Sequence, residues 1–81
     1  MYSVYALLSL KERRIYVGLS GNVEKRIQEH NSGRVFSTKG FRPWKLIHQE
    51  LVGTRQEARN REKYLKSGIG KEWLKQTYLP R

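Results

Sequence analysis

Apolar positions recur along this chain with two different periods. From Tyr2 to Leu8 the run Tyr-Ser-Val-Tyr-Ala-Leu-Leu is aromatic, β-branched and aliphatic, with no breaker. It predicts a strand buried on at least one face. Leu10 to Arg13 turns the chain, and Arg14 to Ser20 predicts the return strand of a hairpin. Alternation there puts Ile15, Val17 and Leu19 on one face, with Tyr16, Gly18 and Ser20 on the other. Gly21-Asn22 breaks the strand, and Asn22 suits the cap of a helix over Val23 to Asn31. Val23 and Ile27 form its inward stripe and Gly33 stops it. Arg26 and His30 lie four apart, so they project from one face of that helix. Trp44 to Val52 predicts a third strand. Thr54-Arg55-Gln56-Glu57 has the form of a capping box, opening a helix that runs to Ser67 and ends at Gly68. A short last helix is expected over Lys71 to Tyr78, with Trp73, Leu74 and Tyr78 available for docking. The order β-β-α-β-α-α predicts an α+β fold, a three-stranded antiparallel sheet flanked by helices.

Length and composition limit what such a fold can be. With 81 residues, a single domain over 1–81 is expected, and its core must be small and tightly used. The chain has no cysteine. That excludes disulfide staples, thiolate zinc sites and a cysteine nucleophile, and it fits a reducing, cytoplasmic setting. No apolar run approaches the ~20 residues of a membrane span. Met1 to Tyr5 lacks the basic start and long apolar stretch of a signal peptide. No membrane span is therefore expected. Two Trp, five Tyr and two Phe among scattered Leu, Ile and Val suffice for a core, so the high charge does not imply disorder.

The net charge of +10 points to a polyanion, most often nucleic acid. Charge alone suits ribosomal RNA or an anionic membrane surface equally well. The first ten residues carry no charged side chain, whereas Gly33 to Lys45 is purely positive, with Arg34, Lys39, Arg42 and Lys45 and no acid. Its glycines, Ser37 and Pro43 predict a flexible loop. Such a loop can clamp phosphates by releasing condensed counterions, or simply stay solvated.

One acid sits against the pattern. The stripe of the second long helix runs through Ala58, Glu62 and Leu65, with Ile69 four further on. Glu62 thus falls on the side that should be buried, and burying an unpaired carboxylate costs several kcal/mol. Either it pairs with one of the many basic residues, or it holds a hard divalent cation such as Mg²⁺. Tyr5 and Tyr16 come from neighbouring strands. They are core filler, or they share one face as a reactive pair if the hairpin register allows. His48 has only a structural reading.

These residues together resemble the GIY-YIG nuclease superfamily, especially its small single-domain members. The motifs are Ser3-Val4-Tyr5, then Tyr16-Val17-Gly18 eleven positions after Tyr5, then Arg26 within Val23 to Asn31. Thr38-Lys39-Gly40, Arg42-Pro43-Trp44-Lys45-Leu46, Glu57-Ala58 and Arg61-Glu62-Lys63-Tyr64-Leu65-Lys66 follow in order, so the resemblance spans nearly the whole chain. Ser3 stands where the first motif has glycine. The resemblance implies a metal-dependent DNA endonuclease, related to the catalytic domain of the excision-repair nuclease subunit and active in repair or recombination. It implies Tyr5 and Tyr16 as paired catalytic tyrosines, Arg26 on the scissile phosphate, His30 as a catalytic histidine, and Glu62 as the ligand of one Mg²⁺ or Mn²⁺ ion. Arg14, Lys39, Arg42 and Lys45 are the expected contacts to flanking DNA phosphates. No segment matches the target-recognition parts of homing and restriction relatives, so sequence-specific cutting is not implied. Specificity is expected from DNA shape or from a protein partner. The alternative is a module of the same fold that binds nucleic acid without cutting it.

Overall fold

Strand β1 (Tyr2–Ser9) is apolar on both of its faces, and the computed structural model, which describes residues 1–79, places it in the middle of the sheet. Every residue from Ser3 to Ser9 is buried. β2 (Ile15–Ser20) and β3 (Trp44–Val52) flank it, both antiparallel, in the order β2-β1-β3. The helices are α1 (Val23–Ser32), α2 (Arg55–Lys66) and α3 (Gly68–Tyr78), and a single 3₁₀ turn covers Lys39–Phe41. The α+β architecture, the three strands and their antiparallel arrangement are as expected from the hydrophobic pattern.

The alternation of β1 divides the core in two. Val4, Ala6 and Leu8 join Ile15 and Val17 beneath Ala58, Leu65 and Leu74 of α2 and α3. Tyr5 and Leu7 join Val23 of α1 and Trp44, with Tyr16, Ile27, Phe41 and Leu46 packed around them. The sheet is therefore a middle layer, with α1 on one side and the α2–α3 pair on the other. In the hairpin, Tyr5 lies opposite Gly18 and Leu7 opposite Tyr16. Opposed residues share a face, so the two tyrosines are diagonal neighbours on the α1 side. A bulge against β1 between Ala6 and Leu7 pairs Leu46 with Leu7 and Lys45 with Leu8.

The helix boundaries differ from expectation at one place. Gly68 does not end α2. Ser67, in an extended conformation, closes it, and the Ser67 hydroxyl accepts the Gly70 amide to cap α3 at once. The last helix is thereby a turn longer than the sequence suggested. Ile69 falls in its first turn and is 74% exposed, so it does not continue the stripe of Ala58 and Leu65. Gly70 permits the tight return: a Cβ there would lie 2.1 Å from the Tyr64 carbonyl oxygen. No helix of the described residues is long and apolar enough to cross a membrane.

A polar cluster fastens α2 and α3 to β3. The Arg61 guanidinium Nε donates to both Glu50 oxygens, at 3.0 and 2.9 Å. His48 Nε2 lies 2.8 Å from Glu50 and its Nδ1 lies 2.6 Å from the Tyr78 hydroxyl. Trp73 meets the His48 ring edge-on. Burial pushes the Glu50 carboxyl up, but hydrogen bonds from Arg61 and His48 outweigh it and hold the group below the usual carboxylate range. A depressed value in the folded state adds stability above the unfolded pKa of ~4.3, and that stability is lost as pH falls through the folded value. Glu50→Gln should therefore melt below the wild type at pH 7, by several degrees for a loss of about 1–2 kcal/mol. The gap should close on acidification toward pH ~3. Thermal melts followed by circular dichroism across that range check this; a gap independent of pH would refute it.

Candidate active site

A phenol on the middle strand has no route to water. Tyr5 is 0% exposed, and its hydroxyl lies 3.1 Å from Nε2 of His30, itself 0% exposed on the last turn of α1. His30 Nδ1 lies 2.8 Å from the Thr38 hydroxyl oxygen, and that hydroxyl donates its own proton to the Val35 carbonyl at 3.3 Å. The direction of the chain follows. His30 carries its proton on Nδ1 and donates it to Thr38, so Nε2 is the bare acceptor and Tyr5 O–H donates to it. Burial pushes His30 down from its ordinary value, and the Arg26 charge adds to this against Glu29, so the ring is neutral at pH 7. Burial, then the neighbouring Tyr16, pushes the Tyr5 phenol up to about 12, while Arg26 opposes the rise.

Thr38, in the Thr38-Lys39-Gly40 motif, is the anchor of the basic segment. Its carbonyl accepts Trp44 Nε1–H at 2.9 Å. Asn31 then clamps the Trp44 backbone from both sides, accepting its amide at 2.7 Å and donating to its carbonyl at 3.1 Å. Ser9 donates to the Phe41 carbonyl at 2.6 Å. The segment between α1 and β3 is thus tied to the sheet at several points, where its composition suggested a flexible loop.

Tyr16 borders the buried pair from β2. Its ring centroid lies 4.7 Å from that of His30 and 6.4 Å from that of Tyr5, and the side chain is half-buried. Gly18 makes this arrangement possible. A Cβ at position 18 would lie 2.7 Å from the Tyr5 hydroxyl and 3.1 Å from the Tyr16 ring.

Two charges reach the phenols from opposite layers. Arg26 of α1 faces Tyr5 closely enough to favour its ionised form, and Glu62 of α2 is near enough to oppose it. Arg26 holds Glu29 at 3.0 Å through one nitrogen, leaving other guanidinium donors free. Glu62 is partly buried, its side chain 18% exposed, and it pairs with Lys66 at 3.3 Å. Of the two roles left open for this acid, a pairing therefore exists, though with a lysine of its own helix. An i,i+4 ion pair with a half-exposed lysine is worth only a few tenths of a kcal/mol, about 0.2–0.5, so it does not bar a competing cation. Among the described residues, no three His, Asp or Glu side chains gather as a metal cage. Mg²⁺ keeps most of its water and needs only one or two carboxylates plus substrate phosphate, a requirement that one Glu62 carboxylate fits.

The four expected phosphate contacts do not form one clamp. Lys39 and Arg42 line a common groove. Arg14 lies over the Phe41 ring, 4.6 Å from its centroid, on the tyrosine side of the sheet. Lys45 pairs with Leu8 and so faces the α2–α3 side.

Comparison with known proteins places the chain among related sequences and structures. A family model described as the GIY-YIG catalytic domain matches residues 1–76. A UPF0213 protein of Syntrophus aciditrophicus is 40% identical over 62 residues, which cover 74% of this chain and 71% of that protein. The human structure-specific endonuclease subunit SLX1 is 38% identical over 53 residues, 57% of this chain but only 19% of the human protein. The solution structure of the UPF0213 protein BH0048 from Bacillus halodurans superposes with a TM-score of 0.56 at 28% identity, covering 99% of this chain and 89% of that one.

Gly18→Ala tests the packing of the site. The Tyr5 ring is enclosed and bonded to His30, so it cannot swing away from an added methyl. The substitution should cost about 1–3 kcal/mol through overpacking, seen as a melting temperature lower by several degrees. The same change at exposed, unobstructed Gly40 should cost less than half as much. Equal melting temperatures for Gly18→Ala and the wild type would refute the close contact.

Proposed function

The chain belongs to the GIY-YIG family, and from that premise we propose that it is a divalent-metal-dependent endonuclease that hydrolyses DNA phosphodiester bonds, in DNA repair or recombination. One observation carries the reading: the Tyr5 and Tyr16 rings, from β1 and β2, lie 6.4 Å apart beside His30 of α1, with the Arg26 charge favouring ionisation of Tyr5 and the Glu62 charge opposing it. Packing needs no such grouping of two phenols, a cation and an acid.

Each residue then has a distinct task. Tyr5 cannot be the base near neutral pH, because its phenol is held up to about 12 and its proton is engaged by neutral His30. The base role falls to Tyr16, half-buried and within reach of water. It takes the proton of the attacking water as the new P–O bond forms and the bond to the leaving oxygen breaks. Tyr5 hydrogen-bonds in the site, and His30 with Thr38 holds it in place; His30 is a positioning residue. Arg26 donates charge-assisted hydrogen bonds to the phosphate as negative charge builds. Glu62 would hold Mg²⁺ or Mn²⁺; when bound, such an ion neutralises phosphate charge and eases departure of the leaving oxygen. Arg14, Lys39 and Arg42 hold flanking phosphates, which fixes position without reading bases. Choice of substrate is left to DNA shape or to a protein partner.

Incubation with supercoiled plasmid in magnesium or manganese buffer tests this reading. The wild type should nick DNA and EDTA should stop it. Arg26→Ala should slow nicking by about 10²–10³-fold. Glu62→Ala should abolish it while DNA affinity stays within about twofold, since a lost metal ligand adds no repulsion to phosphate. Full activity of Glu62→Ala would sink the metal role. Salt-sensitive binding with no cleavage under any metal would favour a non-catalytic binding module.

A further inference from the structure

Phe36 is 83% exposed, on a segment whose backbone is anchored just beyond it by Thr38 and Phe41. A lone exposed phenylalanine is unremarkable on a protein surface. Here its surroundings point to a ligand. The Lys39 ammonium lies over the Phe36 ring, 5.1 Å from its centroid. The same Lys39 lines an open groove of about 540 Å³ with Lys11 and Arg42, over Asn31, Gly40 and Pro43. No acid lines it. Lys11 spends one donor on the Gly40 carbonyl at 3.3 Å, and Arg42 spends its Nε on the Lys39 carbonyl at 2.8 Å. Their remaining donors are free for an anion.

We propose that this groove, whose Lys39 and Arg42 hold flanking phosphates, takes an unpaired strand of the substrate, with one base stacked on Phe36 and its phosphates on Lys11, Lys39 and Arg42. The inference rests on the reading of the chain as a nuclease and deepens it, naming DNA with a single-stranded segment as the preferred substrate. The physical reason lies in the aromatic face. A ring standing off the surface gains by stacking only with a base whose own face is free, and in a duplex those faces are already stacked. Basic side chains alone would hold either form. The tether of the groove also matters: Asn31 directly follows His30, and Thr38 bonds to His30. The groove therefore adjoins the end of α1 that carries His30.

Fluorescence anisotropy in EDTA tests the site without cleavage, using labelled oligothymidylate and a duplex of equal length. Phe36→Ala should weaken oligothymidylate binding by about 5- to 150-fold, the effect of one lost stacking contact, and leave duplex binding within about twofold. Phe36→Trp should restore the loss. Lys39→Gln should weaken both ligands and reduce the single-strand salt slope by about 0.7. Phe36 is exposed, so its variants should melt with the wild type. An unchanged oligothymidylate affinity in Phe36→Ala, or an equal loss on duplex, would overturn the proposal. The nuclease reading fails separately: Phe36-dependent binding by a protein that never cleaves DNA refutes the nuclease and leaves the single-strand site standing.

Discussion

A phenol placed on the middle strand of a three-stranded sheet must find its hydrogen-bond partner inside the protein. Leaving it unpaired costs about 1–3 kcal/mol, a sizeable share of the stability of so small a domain. The relay Tyr5–His30–Thr38 meets that requirement, and much of the structure is arranged around it. It fixes the last turn of α1 against the sheet. It draws the segment after α1 inward until Thr38 is buried, and Thr38 then receives the Trp44 indole. It sets the tautomer of His30 and so the direction in which Tyr5 donates. Among the described residues no buried side-chain nitrogen or oxygen lacks a partner.

That relay also separates the roles of two chemically identical side chains. Tyr5 and Tyr16 are diagonal neighbours on one face. Position in the sheet makes one enclosed and the other half-open, because β1 is central and β2 is an edge. Arg26 and Glu62, from layers on opposite sides of the sheet, bear on the Tyr5 phenol in opposite directions.

The basic surface is likewise divided by the fold. Lys39 and Arg42 meet Lys11 from the hairpin turn, whereas Lys45, three residues from Arg42, faces the other side of the sheet. Strand alternation reverses direction at every residue, so near neighbours in sequence end on opposite faces. The α2–α3 junction shows the same limit for helices. Gly68 had the composition of a helix stop, but the Ser67 hydroxyl was available to cap a new helix, and tight packing at Gly70 favoured starting it at once.

Much was legible in the sequence because it is local. The period of apolar residues located all three strands, with β3 at its observed limits. Asn22, Thr54 and Gly33 marked their helix ends through cap chemistry that acts within a few residues. The ordered motifs that hold Tyr5, Tyr16, Arg26 and Glu62 carried the resemblance to the GIY-YIG family. The oddity of Glu62 was visible because one acid interrupted an apolar stripe. Hairpin register, the burial of His30, the anchoring by Thr38 and the meeting of Lys11 with Lys39 and Arg42 were not legible. Each depends on contacts between residues distant in the chain, and no local propensity encodes those. Sequence alone thus determined the order of the elements and named the candidate residues. Only tertiary structure decided which tyrosine is sealed from water and which charges share its site, because burial and electrostatic proximity are properties of packed layers.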